Sequence, residues 1–172
     1  MARPLGALLA QTVHNMPDLP RELTVVAVPL HPFKERQRGF NQTVLLAEET
    51  MHVLRNMDRQ RNFHVALRAL GRHRMTENQS GLTPHQRRRN LRGAFFVAQP
   101  EKIRGRAILL LDDIYTSGAT ARECTRTLLA GGAAEVYVAT LARSQREGVA
   151  FWDALPMLLA PNENIPAGKN VD

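Results

Sequence analysis

Cysteine is the scarcest chemistry in this sequence of 172 residues: Cys124 stands alone. One thiol excludes an internal disulfide and any zinc site built from several cysteines. Lysine is nearly as rare, with Lys34, Lys102 and Lys169 the only three among 23 basic residues. No Gly-x-x-x-x-Gly-Lys-Ser/Thr loop occurs, so a P-loop nucleotidase is ruled out. Aromatic residues make up 5% of the chain, few for a surface that holds bases by stacking. No apolar run approaches the roughly 18 residues of a membrane span. The apolar part of Met1 to Ala10 is too short for a secretion signal. What remains is an ordinary balance of 44% hydrophobic and 23% charged residues. It points to a cytoplasmic protein with one core over residues 1–160 and a disordered tail over 161–172.

Charge of one sign is abundant, and it is concentrated. The formal net charge is +7. Residues 55–92 hold ten Arg against Asp58 and Glu77, a balance of +8, so the rest of the chain is about neutral. A polyanion is the implied partner, either nucleic acid or a phosphorylated substrate.

The chain is organised around residues 107–120. Ala107 to Leu111 is a short apolar run without polar alternation, as in a strand buried on both faces of a parallel sheet. Asp112 and Asp113 follow at its carboxyl end, where open α/β sheets bind ligands. Tyr115, Thr116, Ser117, Gly118, Ala119 and Thr120 then form a hydroxyl-rich turn into a helix. Such a turn offers backbone N–H groups and hydroxyls to one phosphate, and Gly118 admits close backbone approach. The two acids would sit above that phosphate, within reach of sugar hydroxyls or a hydrated Mg²⁺ ion. Mg²⁺ is usually held by one or two carboxylates plus substrate oxygens.

The flanking segments support an α/β fold with a doubly wound, mainly parallel sheet. Residues 3–15 have helical apolar spacing. Thr24 to Val28 reads as a buried strand ended by Pro29. The basic loop 31–42 precedes a helix from about Asn41 to Arg55, with Asn41 as N-cap. Lys34, Arg36 and Arg38 make the start of that helix a second candidate anion site. Phe63 to Leu70 reads as a strand. Residues 71–92 form an Arg-rich insert with a mobile loop and a short helix opened by Thr83, Pro84 and Gln86. Gly93 to Ala98 reads as a strand and Pro100 to Gly105 as a turn. After the central motif come a helix ended by Gly131-Gly132, a buried strand from Glu135 to Leu141, and a short helix over Phe151 to Leu159.

The contiguous stretch Ile108 to Thr120 resembles the ribose-phosphate-binding signature of type I phosphoribosyltransferases. Three further segments narrow the resemblance: Val28-Pro-Leu-His-Pro32, Arg38-Gly-Phe-Asn-Gln42, and Asn78-Gln-Ser-Gly-Leu82 with Arg74, Arg87 and Asn90 to Phe95. These are similar to the ComF/GntX family of phosphoribosyltransferase-like proteins, over about residues 24–142. The resemblance implies a type I phosphoribosyltransferase fold with 71–92 as a flexible hood. It implies phosphoribosyl pyrophosphate or ribose phosphate as ligand and Mg²⁺ as cofactor, with Asp112 and Asp113 as the catalytic and metal-holding pair. Residues 115–120 would take the 5′-phosphate, and Arg36, Arg38 and Arg74 the pyrophosphate. Family members are associated with DNA uptake during natural transformation, which adds nucleic acid as a partner; a homodimer is a further expectation. Many members begin with a four-cysteine zinc module; this sequence has no such segment, either because it is a short form or because its start was assigned late or cut away.

Overall fold

The computed structural model describes residues 2–73, 83–115 and 118–143. In chain order the elements are α1 (Ala2–His14), β1 (Glu22–Ala27), α2 (Pro32–Arg38), α3 (Gln42–Met57), β2 (Asn62–Val65), β3 (Leu70–Arg72), α4 (Pro84–Leu91), β4 (Phe95–Val97), α5 (Pro100–Ile103), β5 (Ala107–Tyr115), α6 (Ala119–Ala130) and β6 (Glu135–Arg143). Four strands make one parallel sheet in the order β2-β1-β5-β6, and β3 pairs with β4 in a separate antiparallel ribbon.

The apolar runs in β1 and β5 are continuous because both faces of the sheet are covered. Val26, Val28, Ile108 and Leu110 face α6 and the ribbon, where they pack with Cys124, Leu128, Leu91 and Phe95. Val25, Ala27, Leu109 and Leu111 face the other way, onto Leu9 and Val13 of α1 and Ala47, Met51 and Leu54 of α3. Each fully buried Leu contributes on the order of 1.5–3 kcal/mol. Gly6 lets α1 lie close on α3: a Cβ there would stand 2.6 Å from Glu49 Cβ.

The α/β class, the parallel sheet and its two covered faces agree with the sequence reading. Four local readings need correction. β5 does not stop at Leu111 but runs to Tyr115, because β6 pairs with it through Tyr115↔Arg143. On its other side the pairing with β1 ends at Ala27↔Leu111, just before the acids. The single strand expected over Phe63 to Leu70 is two strands in two sheets. Ala69 N–H donates to Ala66 O at 2.9 Å, and this turn carries the chain from β2 to β3. The basic segment 31–42 contains α2, capped by His31, started by Pro32 and ended by Gly39 at φ 81°. The turn at 100–105 opens with the single helical turn α5.

Between β3 and β4 lies the segment expected to form the hood. Its helix α4 carries the Thr83–Gln86 capping box and packs Leu91 into the α6-side core. Gly93 N–H, just beyond α4, donates to Glu123 Oε1 of α6 at 2.6 Å. Residues 74–82, the centre of the hood, lie outside the described residues, as do the expected helix over 151–159 and the tail.

Candidate functional site

After β1 the chain moves outward to β2, and after β5 it moves outward the opposite way to β6. The direction of winding therefore reverses between β1 and β5. In doubly wound sheets the carboxyl ends at such a reversal splay apart and leave a crevice. Here that crevice holds a cleft of about 250 Å³. Val28, Pro29 and Leu30 line it beyond β1, and Asp112, Asp113 and Ile114 line it on β5. Arg38, Asn41, Gln42 and Thr43 enter from the α2–α3 corner, Thr120 from the first turn of α6, and Arg72 from β3.

The two acids differ because successive strand residues point to opposite faces. Asp112 continues the face of Leu110 and is 7% exposed. Its Oδ1 accepts the Asp113 N–H at 3.0 Å. Burial, and then the neighbouring Asp113 charge, push its carboxyl up to about 8. Asp113 continues the face of Leu111, is half-buried, and accepts the Ile114 N–H at 2.8 Å.

Helix α6 begins without a side-chain cap. Gly118 heads it at φ 70° and has no side chain to bond the first-turn N–H groups. The helix dipole also makes that end favourable for an anion. By contrast, α3 caps itself: Asn41 Oδ1, buried at the cleft wall, accepts the Thr43 N–H at 3.0 Å. Beside it, Arg38 Nη1 donates to Gln42 Oε1 at 2.8 Å.

The structure thus brings Asp112, Asp113, Arg38 and Thr120 to one cleft, with Gly118 and Ala119 at the helix end behind Thr120. Tyr115 is half-buried and packs into the α6-side core rather than lining the cleft. Arg36 is exposed on α2 and is not part of the cleft wall. Thr116, Ser117 and Arg74 lie outside the described residues.

Sequence reasoning missed Arg72. It shares a strand face with Leu70, which is buried in the core, so its side chain points inward. The guanidinium carbon stands 5.4 Å from the centroid of the Phe95 ring, and burial lowers the pKa of the group. The only signal in the sequence was one cation in a stretch of ten.

A parallel sheet with an antiparallel ribbon over one face, and an acidic crevice at its winding reversal, is the type I phosphoribosyltransferase fold. A hypoxanthine phosphoribosyltransferase variant from Trypanosoma cruzi, solved as a ternary substrates complex, superposes with a TM-score of 0.52 at 11% identity, covering 91% of this chain and 87% of that one. An allosteric regulatory enzyme of purine biosynthesis gives 0.50 at 19%, covering 81% of this chain and 25% of that one. No family model matches the chain.

Sequence similarity narrows the assignment: the chain is a homologue of the ComF-like proteins. It is 34% identical over 148 residues to the DNA utilization protein YhgH of Salmonella typhi, covering 84% of this chain and 61% of that protein. It is 32% identical over 121 residues to competence protein F of Haemophilus influenzae, 70% of this chain and 50% of that one. With competence protein ComFC of Bacillus subtilis the identity is 34% over 125 residues, 72% and 46% of the two chains. The chain therefore spans about half the length of the curated relatives it matches.

Proposed function

We propose that the cleft binds phosphoribosyl pyrophosphate, or a closely related ribose phosphate, together with Mg²⁺. In this reading the protein transfers or hydrolyses the phosphoribosyl group with release of pyrophosphate. One observation carries the reading. Asp112 and Asp113 lie just past the last β1–β5 pairing, in the same cleft as the open end of α6 and two arginines, Arg38 and Arg72.

Each group has a task that its chemistry suits. The first-turn N–H groups of α6, with Thr120 and the hydroxyls of Thr116 and Ser117, bind the 5′-phosphate. Asp113 accepts from the ribose hydroxyls. Arg38 and Arg72, with Arg74, neutralise pyrophosphate as it leaves; guanidinium forks match its oxygens. The acid pair also fits Mg²⁺. Two carboxylates are enough when substrate oxygens complete the shell, and a cation would relieve the cost of burying Asp112. When bound, Mg²⁺ supplies neutralisation of the charge that develops on pyrophosphate. The protein then lowers the barrier by positioning and preorganised charge, which needs no Ser–His–Asp triad.

Calorimetry with phosphoribosyl pyrophosphate and Mg²⁺ tests the reading. The unaltered protein should bind, and Asp113→Asn and Thr116→Ala should each bind about tenfold or more weakly while still folding. Unchanged affinity in both variants would remove the site assignment. Pyrophosphate release, followed by a coupled phosphate assay, then separates turnover from binding alone.

A second reading is a non-catalytic role with single-stranded DNA, in line with the names of the relatives. A specific observation favours it: α2 buries none of its residues. Phe33 and Phe40 are among the exposed large apolar residues, beside Lys34, Arg36 and Arg38. Exposed rings next to cations suit unpaired bases and their phosphates. Binding to single-stranded DNA should then weaken steeply with salt and with Phe33→Ala; a flat salt slope sinks it.

A further inference from the structure

We propose that Tyr115 is a positioning residue. Its ring is the support on which Gly118, the N-cap residue of α6, is seated, and position 118 is glycine because that ring fills the space of a side chain. The functional meaning of this support rests on the sugar-phosphate reading above; the contact itself does not.

Tyr115 is anchored from two directions. Its backbone ends β5 and pairs with Arg143 of β6. Its ring packs against the α6-side core. Three residues later Gly118, buried, starts α6 at φ 70°. A Cβ built on Gly118 would lie 2.6 Å from Tyr115 Cζ and 3.0 Å from Cε2, with the hydroxyl oxygen nearer still. Carbon atoms do not approach so closely without displacing one another.

Other glycines in the chain act as a control. Gly39, Gly93 and Gly105 also have positive φ, at 81°, 68° and 69°, and nothing lies within 4 Å of a Cβ built on any of them. Those positions need glycine for the backbone angle alone. Gly118 needs it for the angle and for the ring. The contact therefore sets the height of Gly118 above the core, and with it where the first N–H groups of α6 and Thr120 stand relative to Asp112 and Asp113. A phosphate cradle tolerates little displacement, since errors of about 1 Å in positioning are costly.

The test is a double-mutant cycle read in two ways. Ribose 5-phosphate is titrated by calorimetry into the full chain, Gly118→Ala, Tyr115→Leu, Tyr115→Phe and the double variant Tyr115→Leu/Gly118→Ala, and Tm is measured for each. Leu keeps apolar bulk in the core while removing the ring, so the variants remain foldable. Tyr115→Leu should weaken ribose 5-phosphate binding about tenfold, out of proportion to its change in Tm, and Tyr115→Phe should restore the affinity that Leu loses. Gly118→Ala should cost at least about threefold less in the Leu background than in the full chain, because residues in contact are coupled. An equal cost in both backgrounds, or full affinity in Tyr115→Leu, overturns the proposal. If the unaltered chain binds no ribose 5-phosphate, the sugar-phosphate reading fails. The proposal is then decided on Tm alone: Gly118→Ala must lower Tm less when Tyr115 is Leu, and equal drops overturn it.

Discussion

The two sides of the crevice are built on opposite plans. On the β1 side the polar groups satisfy one another. Asn41 caps α3 through Thr43, and Arg38 bonds Gln42. On the β5 side, among the described residues, the acids accept from neighbouring backbone N–H groups and not from a charged partner. Asp112 is buried beside a second carboxylate and pushed up to about 8. α6 starts on a glycine that cannot cap it. A side that completes its own bonds stabilises the empty fold. A side left incomplete costs stability until something arrives, and that marks where a ligand gains most. The sequence suggested two candidate anion sites, one per helix start. The structure separates them: at the start of α3 the Asn41 side chain already takes one first-turn N–H, whereas α6 starts without a side-chain cap.

The largest expected consequence concerns Asp112. Unfolded, its carboxyl releases a proton near 3.8; folded and empty, it keeps that proton up to about 8. Between those values the folded state binds more protons than the unfolded one. Stability of the empty protein should therefore fall as pH rises through that window. Asp112→Asn removes the titration, so this share of the decline should vanish. Thermal melts at pH 8 should find the variant more stable than the parent, by an amount on the order of a few kcal/mol. Ligand binding with Mg²⁺ should be lost in the same variant. A variant less stable than the parent at pH 8 would mean that Asp112 is already satisfied, and the contrast between the two sides would collapse.

A matched pair of substitutions sharpens the contrast at smaller cost. Asn41→Ala removes the internal cap of α3 and should cost about 1 kcal/mol of stability, a fall in Tm of roughly 2–4 °C. Phosphoribosyl pyrophosphate affinity should hardly change. Thr120→Val, at the open end of α6, should do the reverse. Stability should stay within about 0.5 kcal/mol, while affinity falls by roughly tenfold or more through the loss of one bond to a charged oxygen. Calorimetry and melting on both variants check the pair. If both lose stability and keep affinity, α6 is as self-contained as α3.

Much of this architecture was legible because it is local. The apolar runs of β1 and β5, the Asn41 cap, the Thr83–Gln86 box and the glycine that ends α6 each act within a few residues of themselves. The helix α2 was equally legible in principle. Pro32 suits a first helical position and Gly39 a left-handed C-cap, but basic composition suggested a loop instead. Other features depend on distant partners. β5 extends past its acids only because Arg143 pairs with Tyr115. The split of residues 63–70 between two sheets follows from Ala66, Ala69 and Leu70 packing in the core against α6 rather than continuing along β1. Gly6 reads as a weak spot in α1 until Glu49 is found against it. For the site, the acid pair and the open end of α6 came from residue type and order. Arg72 did not, because its role comes from the strand face it shares with a buried Leu70, across the ribbon from Phe95.

The smallest expected effect lies on the β1 side. The Arg38–Gln42 bond joins two exposed side chains, so Gln42→Ala should change stability by no more than about 0.5 kcal/mol. Its effect on binding is the more telling measurement. An exposed arginine that holds an anion by charge alone does not need a fixed orientation. Gln42→Ala should then leave phosphoribosyl pyrophosphate affinity within about threefold at low salt, with the same salt dependence. Arg38→Gln should lower both the affinity and the salt slope. If Gln42→Ala instead costs as much affinity as Arg38→Gln, the amide is holding the guanidinium in the geometry that the ligand requires. The β1 side would then be preorganised for the ligand rather than closed in on itself, and the division between the two halves of the crevice would have to be drawn elsewhere.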